Sequence, residues 1–148
     1  MEILCMSGMF LYLSAEDIKR KTVPVIPMMI WGMVGIVLHI AMGRINDMQM
    51  LLGMIPGVAA YILSILTKEK IGRGDALLLV VTGIYMGFWG NIIMLWVGLI
   101  FAAIGGVAAI VIFKKKKSDE LPFIPFLAAA YVMYIISNGG MPGSSGVF

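Results

Sequence analysis

The chain has 148 residues, of which 61% are hydrophobic and 13% charged, with a mean hydropathy of +1.00 and a formal net charge of +3. A soluble domain of that size needs far more polar surface, so the composition excludes one. The basic balance does not point to nucleic acid either. Its cations fall in short clusters between apolar runs, which is the pattern of membrane topology.

Several apolar runs approach or exceed the ~20 residues that cross a ~30 Å hydrocarbon core as helix. Membrane-spanning strands would instead alternate apolar and polar residues over about ten positions, and no such alternation is present. The expected class is therefore all-α: a polytopic membrane protein with about six transmembrane helices. These are predicted at 2–16, 24–43, 48–67, 75–90, 92–113 and 121–137, in a single membrane-embedded domain over 1–148 that ends in a flexible tail, 138–148. The N-terminal segment begins with Glu2 and lacks both a basic flank and a small-residue cleavage site, so it reads as a retained first helix. Cys5 is the only cysteine, which leaves no intramolecular disulfide and no cysteine-based zinc cluster.

The cations orient these spans. Lys19, Arg20 and Lys21 follow the first span, Lys68, Lys70 and Arg73 the third, and Lys114 to Lys117 the fifth; only Arg44 lies in a loop of the opposite set. This bias puts the first, third and fifth loops in the cytoplasm and both termini outside. The lysine run also suits anionic lipid headgroups, and Asp119 and Glu120 beside it read as solvated. Pro56-Gly57 is expected to kink the third span, Gly90-Asn91 to turn the chain between the fourth and fifth, and Gly105-Gly106 to allow close packing in the fifth.

Spans one and four are short. From Met1 to Asp17 a helix reaches only about 24 Å, so a helix continuing through Asp17 holds that carboxylate at or just below the cytoplasmic boundary. Asp75 opens the fourth span directly after Gly72 and Gly74, at a similar depth and near the same face. Ionisable residues at membrane depth are costly and suggest function. Two aspartates brought together form a dyad in which one acid keeps its proton and the other stays ionised. The ionised member can take a proton from water while the protonated one polarises a peptide carbonyl. The pair titrates jointly, so the sequence assigns the proton to neither, although N–H groups at a helix start favour the anionic form of Asp75. The plain alternative is that Asp75 is only a helix cap and Asp17 only the partner of a nearby lysine.

His39, the sole histidine, falls near the outer end of the second span, away from both aspartates, and reads as a packed side chain rather than a proton path. With His39 and Cys5 both on the outer side, a Ser-His or Cys-His mechanism has little material. There is no HExxH segment or cysteine-histidine cluster, so no metal or other cofactor is expected. Fourteen methionines fill gaps among helices and lipid.

Three segments carry a resemblance. "DIKRKTVP" (17–24) is similar to the first aspartate segment of type IV prepilin peptidases, and "IGRGDALLL" (71–79) to their second, with the GxGD signature of intramembrane aspartyl proteases. "LPFIPFLAAA" (121–130) is similar to the family's proline-phenylalanine segment opening the last helix. The resemblance implies an aspartyl endopeptidase of a prokaryotic cytoplasmic membrane, working at its cytoplasmic boundary. It would remove the basic leader of prepilin-like precursors (pilins, pseudopilins or archaellins), with Asp17 and Asp75 as the catalytic pair and Gly72 and Gly74 as a flexible active-site loop.

The chain departs from that pattern at Val25, where asparagine is common, and at Leu77, where lysine is common; neither change removes a carboxylate. It lacks the cysteine-rich segment of larger members and resembles the short, peptidase-only forms serving Tad-type pili or archaella. The expected partners are the precursor and the lipid bilayer, the precursor docking laterally with its apolar helix in lipid. The competing class is a non-enzymatic membrane component, either a small proton- or cation-coupled transporter or an inactive subunit of a secretion assembly. A conduction path is disfavoured by how few polar residues, chiefly Ser64, Thr82 and Asn91, occupy spans three to five.

Overall fold

A long apolar segment removed from water must satisfy its backbone internally, which makes helix the default along this chain. The computed structural model describes residues 2–20, 23–42, 47–67, 72–111 and 122–137. Readings on Lys21, Arg44, Lys68, Lys70, Lys114 to Lys117, Asp119, Glu120 and the tail 138–148 lie outside these residues. The described elements are five helices: α1 (Glu2–Arg20), α2 (Val25–Met42), α3 (Asp47–Leu66), α4 (Arg73–Val111) and α5 (Ile124–Ser137). The fold is all-α, as expected, but with five helices rather than six. The expected fourth and fifth spans are one element, and the turn expected at Gly90-Asn91 is displaced to Gly87.

Gly87 has φ 67° and ψ −173°, which no residue inside a helix adopts and which glycine tolerates because it has no Cβ. It divides α4 into a first limb, 73–86, and a second, 88–111. The limbs fold back on each other. The Asn91 Nδ2 donates to the carbonyl of Leu79, twelve residues earlier, at 2.8 Å, and the Thr82 hydroxyl donates to Asn91 Oδ1 at 2.9 Å. In a straight helix, residues that far apart would be about 18 Å distant along the axis. Asn91 also donates to the Gly53 carbonyl at 2.9 Å, tying the fold-back to α3. Gly90 and Asn91 are themselves helical and buried.

Helix packing along this hairpin depends on glycine. A Cβ on Gly53 would strike the Gly83 carbonyl, and a Cβ on Gly57 would strike the backbone at Leu79 and Val80, so α3 and the first limb of α4 run backbone against backbone. α3 continues through Pro56 rather than breaking there; the Pro56-Gly57 step marks this close approach and not the expected kink. α2 lies on the other flank, with Gly32 against Val81 and Gly35 under the Tyr85 ring, whose hydroxyl donates to the Trp31 carbonyl at 2.6 Å. The second limb returns along α5: Gly90 meets Tyr134, Gly98 meets Leu127, and Gly105 meets the Phe126 ring. Gly105 thus has the packing role expected of it. α1 completes the bundle through Phe10 stacked on Tyr131 at 5.1 Å.

Among the described residues, many large apolar side chains face outward, while the apolar core encloses a few polar groups. Leu4, Ile26, Ile40, Leu66, Val111 and Ile136 are 70–78% exposed, while Asp17, His39, Ser64, Thr82 and Asn91 are buried. Water would not support so much exposed apolar surface, whereas lipid does. Met48–Leu66 and Arg73–Val111 are long and apolar enough to cross a membrane.

Substituting Gly83→Ala should force the backbones of α3 and α4 apart, at a cost of about 1–3 kcal/mol. Thermal unfolding in detergent is expected to show a midpoint several degrees lower. Gly8→Ala, where a Cβ would meet only Trp31 at an ordinary 3.7 Å, should leave the midpoint unchanged.

Candidate active site

The bundle gathers at one end the finish of α1, the starts of α2, α4 and α5, and the finish of α3. Asp17 lies in the last turn of α1 and is buried. Its Oδ2 accepts a hydrogen bond from the Ile124 N–H, at the first residue of α5, at 3.0 Å, and the Phe123 amide also interacts with it. Asp17 is thus a buried acceptor for the first turn of α5. The cation one turn away, Arg20, pairs instead with Glu16 at 3.1 Å on the exposed side of the helix.

The local sequence explains why α5 turns to Asp17. The Phe123 carbonyl accepts the N–H groups of Phe126 and Leu127, which makes Phe123 the cap residue. A phenylalanine side chain cannot accept from the first-turn amides as serine or aspartate would. Pro125 has no N–H, and Phe126 is already bonded to Phe123. The Ile124 amide is left over, in a fully buried residue, and a carboxylate from another helix satisfies it.

Asp75 lies in the first turn of α4, half-buried, behind Gly72, whose carbonyl accepts the Ala76 N–H at 3.2 Å. It is therefore not the cap residue but sits three positions inside it, and its carboxylate folds back over the cap. A Cβ on Gly72 would lie 2.7 Å from Asp75 Oδ2. Gly74 has a different reason to be glycine, since a Cβ there would come within 2.6 Å of Val23, beside the start of α2. Neither glycine has a positive φ; both are needed for space. The two carboxylates come within electrostatic reach of each other. Among the described residues neither has a salt-bridge partner.

Asp17 and Asp75, expected near one face, thus lie at one end of the bundle within electrostatic reach, with Gly72 against Asp75 and Gly74 against Val23. His39 is far from them, buried on the stripe of α2 that includes Gly32 and Gly35, with neither ring nitrogen hydrogen-bonded. Sequence reasoning missed two groups: the Ile124 amide, and Asn91 as a buried three-way link rather than a turn residue. The first had a signal, because Pro-Phe-Ile-Pro opens a helix with no polar cap of its own.

A sequence profile of the type IV leader peptidase family matches residues 4–107, a stretch that includes both aspartates and the glycines between them. No curated protein and no solved structure gives a significant match.

Gly74→Ala is expected to destabilise the protein by about 1–3 kcal/mol through its clash with Val23, a β-branched side chain that cannot turn away. Adding Val23→Gly, which removes the Cβ that lies nearest as well as the methyls, should show favourable coupling to Gly74→Ala in a thermal-unfolding double-mutant cycle. The same partner change should not rescue Gly72→Ala, whose obstacle is Asp75.

Proposed function

The chain belongs to the type IV leader peptidase family, and we propose that it is an aspartyl endopeptidase that cuts the basic leader from prepilin-like precursors at the cytoplasmic boundary of the membrane. One observation carries the reading. Two acids from different helices, Asp17 and Asp75, come within electrostatic reach of each other at one end of a bundle whose described surface carries many exposed apolar side chains. Around them converge the three segments that resemble the family: Val23 against Gly74, Asp17 against Ile124, and Asp75 beside Gly72.

In the reaction the ionised carboxylate takes a proton from a water held between the acids. The oxygen of that water attacks the peptide carbonyl, which the other, protonated carboxyl polarises by hydrogen bonding. The tetrahedral intermediate collapses as the amide nitrogen leaves with a proton from the dyad, and both products carry normal termini. A precursor helix lying in lipid would present its leader junction at this end of the bundle, where water is available. The junction must be extended to expose its carbonyl, and the loop containing Gly72 and Gly74 is the element proposed to move with it.

The orientation proposed is that of six spans, the two limbs of α4 counting separately, with both termini outside. The connections on the aspartate side, together with the helix ends that flank them, hold ten of the eleven cations.

D17N and D75N should each lower cleavage of a co-expressed precursor by about 10²-fold or more while membrane insertion and thermal stability stay near normal. Mass spectrometry of a precursor peptide incubated with the purified protein should show one cut, between leader and apolar segment. Undiminished cleavage by either variant would remove that residue from the mechanism. Proton-coupled uptake without any cut would favour the transporter class.

A further inference from the structure

The first turn of α5 does more than end a helix neatly. Its sequence removes or occupies every nearby donor except those directed at Asp17. Pro125 has no N–H, Phe126 and Leu127 donate to the Phe123 carbonyl at 3.0 and 3.2 Å, and Ile124 donates to Asp17 Oδ2 at 3.0 Å. Both ends of that last bond are buried, where a charge-assisted hydrogen bond is strongest. The positive end of the α5 dipole adds to it. A backbone N–H can only donate, so its partner oxygen must be an acceptor, and the ionised carboxylate is the better one. No comparable donor reaches Asp75 among the described residues.

We propose that the Ile124 backbone amide is the positioning group of the dyad: it holds Asp17 as the carboxylate that takes the proton from water, and leaves Asp75 as the acid that bears a proton and polarises the scissile carbonyl. This rests on the peptidase reading and deepens it. It also reverses the indication from sequence, in which the start of α4 favoured an anionic Asp75; the amides that hold an anion here belong to α5.

Among the described residues, the other charged groups near Asp17 are few. On its own helix Glu16 and Arg20 neutralise each other and Lys19 is exposed. α4 contributes Asp75 and Arg73 to this end of the bundle, while the first turn of α5 has no acid or base. The start of α2 is likewise uncharged.

The test deletes one N–H. Ile124→Pro removes it at a first helical position, where proline is tolerated, and Ile124→Val keeps it with nearly the same side chain. Cleavage of a prepilin-like peptide is followed against pH. Losing a hydrogen bond to the anion makes the base harder to ionise, so the acid limb of the I124P profile should move to higher pH by about one unit. Turnover should recover above it, and the I124V limb should stay in place. If I124P fails to fold, an ester at position 124, introduced with the α-hydroxy analogue of isoleucine, deletes the same N–H without altering the side chain.

A second readout does not need activity. In a D75N background, infrared titration of the Asp17 carboxyl, isolated by subtracting the D17N/D75N double variant, should shift upward by a similar amount on losing the amide. An unmoved infrared titration shows that the amide does not hold the anion and overturns the proposal. A shifted titration with an unmoved cleavage limb shows that Asp17 is not the base and overturns it as well, leaving the peptidase intact. No cleavage by the unsubstituted protein would remove the peptidase reading, and the division of roles with it.

Discussion

A buried carboxylate needs donors, and the Asp17 side chain finds them at the start of another helix. That bond between α1 and α5 joins the two ends of the chain and fixes the depth of one acid at one face of the bundle. Breaking such a bond leaves two unsatisfied groups, an orphaned amide and an uncompensated charge, each costing about 1–3 kcal/mol or more. The geometry of the candidate site therefore depends on where α5 begins. That point is set by the two prolines around Phe123 and Ile124.

The second acid is placed by steric means. Glycines at 53, 57 and 83 let α3 and the first limb of α4 approach until their backbones touch, and Asn91 ties the returning limb to both. Asp75, two residues inside the start of that limb, is held where the hairpin holds it. Gly74 then lets the start of α4 sit against Val23, just ahead of α2. Polar side chains near the bundle centre serve this construction. Thr82 and Asn91 spend their hydrogen bonds on each other and on backbone carbonyls, an arrangement suited to holding helices together in lipid.

Much of this was legible in the residues themselves. Long apolar runs broken by cationic clusters dictate membrane helices, because no other structure satisfies a backbone in hydrocarbon. Asp17 and Asp75 stand out since acids at such positions are expensive. The hairpin in α4 was legible only in outline: "MGFWGN" contains two glycines and an asparagine, and composition favours a turn at Gly90-Asn91 as strongly as at Gly87. Which glycine takes a positive φ depends on whether Asn91 can reach Leu79 and Gly53, a tertiary matter. The packing around Gly72 and Gly74 was hidden for the same reason. Flexibility is the property glycine shows in sequence, whereas the space it leaves for Val23 and Asp75 appears only once neighbours are placed. The Ile124 amide escaped because backbone donors have no letter in the sequence.

The central claim is that two acids distant in the chain share one place in the folded protein. With Cys5 replaced by alanine, cysteines at 17 and 75 can be tested for copper-catalysed disulfide formation in native membranes. A pair at 32 and 81, where a Cβ added to Gly32 would lie 3.4 Å from the Val81 side chain, serves as the reference. The account predicts rapid cross-linking of 17 with 75, comparable to the reference pair. A reference pair that links while 17 and 75 stay reduced would contradict it.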